Sequence, residues 1–94
     1  MEIKHNNYFE GKVQSLGFTT TQGQDATIGV VAPGKYDFGI AKRQETITAI
    51  KGSFKINGCE VNAIITIMRI HVIHPGEQII FETSKIAAYI CVYD

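Results

Sequence analysis

Ninety-four residues are enough for one hydrophobic core and too few for two, so residues 1–94 are read as a single domain. Nine Lys and Arg balance nine Asp and Glu, which leaves no basic field for a nucleic-acid polymer and no acidic excess of the kind that keeps a chain disordered. No apolar stretch approaches the ~20 residues that span a bilayer, and the N-terminus carries no apolar signal run. Cys59 and Cys91 stand far apart and form no C-x-x-C pair, so free thiols, a reducing compartment and a cytoplasmic protein off the membrane are expected.

Along the chain, short segments rich in Val, Ile, Thr, Tyr and Phe alternate with glycine or proline turns, and no apolar spacing holds a helical period over three turns. The spacing predicts strands over residues 12–18, 26–31, 36–40, 45–50, 53–56, 64–68, 70–73, 78–82 and 87–93, with His5 in a mobile N-terminal tail. Pro33-Gly34 and Pro75-Gly76 are turn signals, and Asn57-Gly58 is a strong two-residue hairpin signal. Many short strands without crossover helices point to an all-β antiparallel sandwich or barrel. Residues 64–73 are almost continuously apolar, which predicts an internal strand pair buried on both faces, with coverage by a second subunit as the close alternative.

The spacing from Gly34 onward resembles the cupin frame, a glycine followed by two histidines, a glutamate and a second glycine, then a later glycine, proline and histidine. Glu45 and Gly52 hold the end of the first motif and Pro75 stays in the second. The histidine positions fall near Ile40, Lys42 and Ile80, and Arg69 stands for the second motif's glycine. The resemblance implies a single-domain cupin, an antiparallel β-barrel or jelly-roll sandwich. One carboxylate cannot assemble the converging donors that a first-row metal needs, so no metal is expected. His71 and His74, three apart on a strand, point to opposite faces.

A narrower resemblance runs from end to end. Asn7-Tyr-Phe-Glu-Gly-Lys-Val, Ser15-Leu-Gly-Phe, Ala26-Thr-Ile-Gly-Val-Val, Pro33-Gly-Lys-Tyr-Asp-Phe, Glu45 to Gly52 and the closing Ala88-Tyr-Ile-Cys-Val-Tyr are together similar to the small cupins of the pyrimidine/purine nucleoside phosphorylase family. The resemblance implies a metal-independent, homodimeric pentosyltransferase. It would cleave purine and pyrimidine nucleosides with inorganic phosphate as co-substrate, releasing free base and pentose 1-phosphate, with no other cofactor. Two departures stand out. The family's Pro-Glu-x-Met reads Gln44-Glu45-Thr46-Ile47 here, and residues 59–68 lack the family's tryptophan and acidic-glycine turn. They keep open a second reading, a non-catalytic cupin that binds a nucleoside or sugar.

Phosphorolysis needs donors for phosphate, an acceptor for ribose hydroxyls and stabilisation of the departing base. Alternation puts Glu45, Ile47 and Ala49 on one strand face, and in the cupin frame that face looks inward with Tyr36, Phe38 and Ile40. Tyr89, Cys91 and Tyr93 share another face. Tyr36, Phe38, Ile47 and Tyr89 are therefore expected around the base, and Glu45 on the ribose. Arg69 and either Arg43 or Lys42 are the cations available for phosphate, at most one of the adjacent pair facing inward if that segment is extended. His71 is a candidate acid for the leaving base. Cys91 lacks a basic activator and is read as packing.

Overall fold

The computed structural model describes residues 2–94. Ten strands form two antiparallel sheets: β1 (Lys4–Tyr8), β2 (Val13–Thr19), β3 (Asp25–Val31), β4 (Gly34–Ile40), β5 (Glu45–Lys51), β6 (Ser53–Ile56), β7 (Cys59–Asn62), β8 (Ile70–Ile73), β9 (Gln78–Thr83) and β10 (Ala87–Tyr93). The larger sheet has the order β1-β2-β3-β10-β5-β8 and the smaller β4-β9-β6-β7. They form a jelly-roll sandwich of the cupin type whose sheets end in edge strands rather than closing into a barrel.

Alternation decides what lies between the layers. Val13, Val31, Ile47, Ala49, Ile73, Ala87 and Cys91 of the larger sheet meet Tyr36, Phe54, Ile56, Val61, Ile79 and Phe81 of the smaller in one buried cluster. Phe54 and Phe81 stack with centroids 4.4 Å apart. The hairpin signal is realised: Asn57 (φ 52°) and Gly58 (φ 82°) both take left-handed conformations between β6 and β7, as a two-residue loop with matching twist requires.

Three expectations are corrected. His5 is not in a tail but in β1, opposite Leu16. Its Nε2 pairs with Gln14 Oε1 at 3.0 Å, and Asn6 donates to Ser15 Oγ at 3.3 Å. Residues 59–62, left unassigned by alternation, form β7. Residues 64–68 are not a strand: the Ile64 amide donates to Asn62 Oδ1 (3.1 Å), ending β7, and Thr66–Met68 make a 3₁₀ turn. Ile64 and Ile67 are about nine-tenths exposed, and β8 is an edge strand. The run is therefore not an internal strand pair buried on both faces.

Candidate active site

Between the layers, and open at one end of the sandwich, lies a cavity of about 350 Å³. The turn after β4, the start of β5 and the end of β10 supply its wall. Glu45 and Ile47 come from β5, Tyr89, Cys91 and Tyr93 from β10, Phe38 and Ile40 from β4, and Ile79 and Phe81 from β9. Ser15, Thr27 and Tyr8 complete the lining. Cross-strand register produces this convergence, because Glu45 stands opposite Tyr93, Ile47 opposite Cys91 and Ala49 opposite Tyr89.

Among the described residues Glu45 is the cavity wall's only carboxylate. Burial raises its pKa above the ordinary value of 4.5, more than the Cys91 hydrogen bond and the Arg43 charge lower it. The Cys91 thiol donates to Glu45 Oε1 at 3.4 Å. Burial, with the Glu45 charge beside it, pushes that thiol up to about 12, so Cys91 is a neutral donor at physiological pH and no nucleophile. Burial likewise raises the Tyr89 and Tyr93 phenols, and a Cys91 thiolate formed at high pH would raise them further, so both are protonated at physiological pH.

Tyr89 owes its pose to Gly29. The two face each other across β10 and β3, and a Cβ at Gly29 would come within 2.5 Å of the Tyr89 hydroxyl and ring edge. No side chain fits there, so the phenol ring lies across the β3 backbone and its tip enters the cavity. At the mouth, Tyr8 and Phe9 meet the Phe38 ring edge-on at 5.9 and 5.3 Å. A left-handed turn, Phe9 (φ 53°), Glu10 (φ 58°) and Gly11 (φ 86°), brings Phe9 round to that position. For the two non-glycine residues this conformation costs roughly 1–2 kcal/mol each.

The cationic side of the rim is Lys42 and Arg43. Both line the cavity; one at most would do so in an extended segment, but residues 41–44 are not extended and the chain bends at 42–43. Arg43 donates to Asp25 Oδ2 (2.8 Å) and to the Asp94 carbonyl (3.2 Å), and lies 5.5 Å from the Tyr93 ring centroid.

Of the sequence-predicted set, Glu45, Phe38, Ile47, Tyr89 and Arg43 line the cavity. Tyr36, Arg69 and His71 do not. Tyr36 is core: its hydroxyl donates to the Ala32 (2.8 Å) and Pro33 (3.1 Å) carbonyls, and Gly34 leaves room for it, since a Cβ there would approach it to 2.7 Å. Tyr36→Phe should cost about 1 kcal/mol, read as a Tm lowered by several degrees with ligand binding unchanged. Arg69 is exposed beside the 3₁₀ turn. His71 is half-buried on edge strand β8 opposite Ile47. Sequence reasoning missed Ser15, Thr27, Tyr8 and Tyr93 as wall residues. Period-two alternation already carried the signal for Tyr93, which shares a face with Tyr89.

The cupin ligand positions are partly recovered, for Ile40, Lys42 and Glu45 share the wall, while Ile79 and Phe81 rather than Ile80 face it. Among the described residues no group of three His, Cys, Asp or Glu side chains converges.

The fold has relatives. A cupin-2 domain from Rhodospirillum rubrum superposes with a TM-score of 0.71 at 12% identity over 98% of this chain and 69% of that one, which establishes the fold. A crystal structure of a protein of unknown function from Vibrio parahaemolyticus matches with a TM-score of 0.83 at 31% identity, covering 98% of both chains. A pyrimidine/purine nucleoside phosphorylase from Vibrio campbellii is 49% identical over 53 residues, 56% of this chain and 54% of that protein, so the alignment spans about half of that curated relative. The pyrimidine/purine nucleoside phosphorylase family model matches residues 3–93, nearly the whole length, and the chain belongs to that family.

Proposed function

We propose that the protein is a broad-specificity nucleoside phosphorylase that transfers a pentosyl group from a purine or pyrimidine base to inorganic phosphate. The observation that carries this reading is the composition of one cavity: a single half-buried carboxylate, aromatic walls and two cations at the rim. Family membership supports it. Aromatic walls bind flat heterocycles with little discrimination between their polar edges, which suits both base classes.

In the reaction a phosphate oxygen forms the new bond to C1′. The C1′–N bond breaks, its electron pair leaves with the base, and the base nitrogen takes up the proton that the attacking hydrogen phosphate gives up. Positive charge grows on the ribose as the bond to the base stretches. Glu45 as carboxylate accepts ribose hydroxyls, contacts that strengthen as this charge develops, while the Cys91 thiol fixes one of its oxygens. Lys42 and Arg43 hold the phosphate, Arg43 by its planar fork. Tyr89 and Phe38 flank the base, with Ile47 below it. No step requires a metal, because Ile40 and Lys42 occupy two former ligand positions and offer no donor pair for one. Arg69 and His71, off the wall, have no part in the chemistry.

Because Arg43 is already paired with Asp25, phosphate competes for it. Arg43→Ala is expected to raise the phosphate KM about tenfold, equivalent to ~1.4 kcal/mol, with a smaller change in the nucleoside KM. Steady-state kinetics with each substrate varied checks this, and equal changes in both constants would remove Arg43 from the phosphate site. Free thiols at Cys59 and Cys91 suit the cytoplasm, where phosphate and nucleosides are both available. Homodimeric assembly completes the reading. The assay is incubation with uridine or adenosine with and without phosphate, followed by chromatography for free base. A cupin that only binds would instead show ligand-induced stabilisation without product.

A further inference from the structure

The polar groups on the cavity wall differ in whether the protein already uses them. The Cys91 thiol is committed to Glu45, and Ser15 Oγ accepts from Asn6. Tyr93 stands at the rim with the Arg43 guanidinium 5.5 Å from its ring centroid, Thr27 faces its phenol, and Tyr8 meets Phe38 at the mouth. Tyr89 is held by its ring alone. One side of the ring lies over Gly29, and Phe81 packs beside it with centroids 5.5 Å apart. Among the described residues the Tyr89 hydroxyl makes no hydrogen bond, and no enclosed side-chain oxygen is without a partner, so that hydroxyl opens onto the cavity that Tyr89 lines. A phenol inside a protein ordinarily finds a partner. One that is fixed in pose and left free is a donor kept for a ligand.

We propose that Tyr89 is a further catalytic residue: its hydroxyl donates a hydrogen bond to the departing base, at the acceptor that both base classes carry one carbon away from the glycosidic nitrogen, O2 of a pyrimidine or N3 of a purine. These two acceptors occupy equivalent positions, which is why the minor groove of DNA shows A·T and T·A alike. The electron pair that leaves C1′ with the base spreads onto that atom, so a donor there is worth more in the transition state than in the bound substrate. Burial lifts the Tyr89 phenol above its ordinary pKa, so it keeps its proton throughout, and the proton on the base nitrogen still comes from hydrogen phosphate. Cys91, which holds Glu45, and Tyr89 are successive inward positions of β10, ~7 Å apart along the strand. The acceptor for ribose and the donor for the base therefore lie within the length of one nucleoside. A donor aimed at the shared acceptor stabilises either leaving group without choosing between them, which aromatic walls alone do not do. The inference rests on the phosphorolysis reading of this cavity.

Tyr89→Phe keeps the ring and removes the donor. It should lower kcat for adenosine and for uridine by about tenfold or more each, with KM and Tm little changed, because no hydrogen bond within the protein is lost. A packing role for Tyr89 predicts no such loss. 3-Deazaadenosine, which has C–H in place of N3, completes a double-mutant cycle across enzyme and substrate: on it the variant and the unaltered chain should turn over at nearly equal rates. A misfolded fraction of the variant lowers both of its rates alike and cancels from the ratio. Equal losses on adenosine and 3-deazaadenosine, or a loss confined to one base class, overturn the inference and leave the phosphorolysis reading standing. No phosphorolysis of either nucleoside by the unaltered chain overturns both.

Discussion

Replacing Glu45 by glutamine is expected to lower kcat/KM for nucleoside phosphorolysis by about a hundredfold or more, ~3 kcal/mol of transition-state stabilisation, while the protein stays folded. Glutamine keeps the shape and an oxygen that can accept the Cys91 thiol hydrogen bond, but carries no negative charge to meet the charge growing on the ribose. The same substitution should raise Tm at neutral pH. The sign follows from burial, which lifts the Glu45 pKa in the folded chain above its ordinary value, so the folded state binds that proton more tightly than the unfolded one. Its favourable contribution is fully present below the unfolded pKa near 4.5 and is lost as pH rises through the higher folded value. Above that pH the ionised Glu45 is a cost, which Gln removes. Loss of turnover with a gain in stability marks a residue held for function. In the unaltered protein the acid limb of kcat/KM for phosphorolysis should fall above the range of an ordinary glutamate, and Glu45→Gln should abolish that limb. Unchanged turnover would take Glu45 out of the site.

Gly29→Ala is expected to have the second largest effect, through Tyr89. The added Cβ would occupy space now held by the phenol, and the clash involves the ring edge as well as the hydroxyl, so a small rotation cannot relieve it. Forcing the ring off β3 should cost about 1–3 kcal/mol of stability and raise the KM for nucleosides, with the phosphate KM much less affected. Tyr89→Ala in the same chain should remove most of the Gly29→Ala stability cost, giving a coupling of about 1 kcal/mol or more in a double-mutant cycle. Additive effects would show that Gly29 and Tyr89 do not act together.

Much of the architecture was readable where sequence and burial share one period. The alternation in β5 and β10 placed Ile47, Ala49, Cys91 and Tyr89 on inward faces, and Asn57-Gly58 fixed one hairpin. Reading failed where other forces set the backbone. β1 is polar, and ladder hydrogen bonds to β2 hold it rather than burial. At residues 64–68 an Asn62 side chain breaks the extended chain, and apolar side chains that the sequence reading assigned to an interior stand exposed. The site shows the same division. Glu45, Ile47 and Tyr89 follow from strand parity, and Lys42 beside Arg43 depends on a turn whose conformation no periodicity reveals. Arg69 was placed by its position in the cupin frame and His71 on a strand that does form, β8, but β8 is an edge strand and neither residue reaches the cavity wall. Tyr36 was given the correct face, but its hydroxyl reaches backbone carbonyls near Gly34 instead of the cavity.

The central claim is that this cavity uses phosphate to break a glycosidic bond. Its most direct test is to incubate purified protein with uridine and with adenosine, each with and without inorganic phosphate, and to quantify free base and pentose 1-phosphate. Base released only with phosphate, in equal amount to the sugar phosphate and lost in Glu45→Gln, is the expected result. No base across a broad nucleoside panel, or the same release without phosphate, would contradict it.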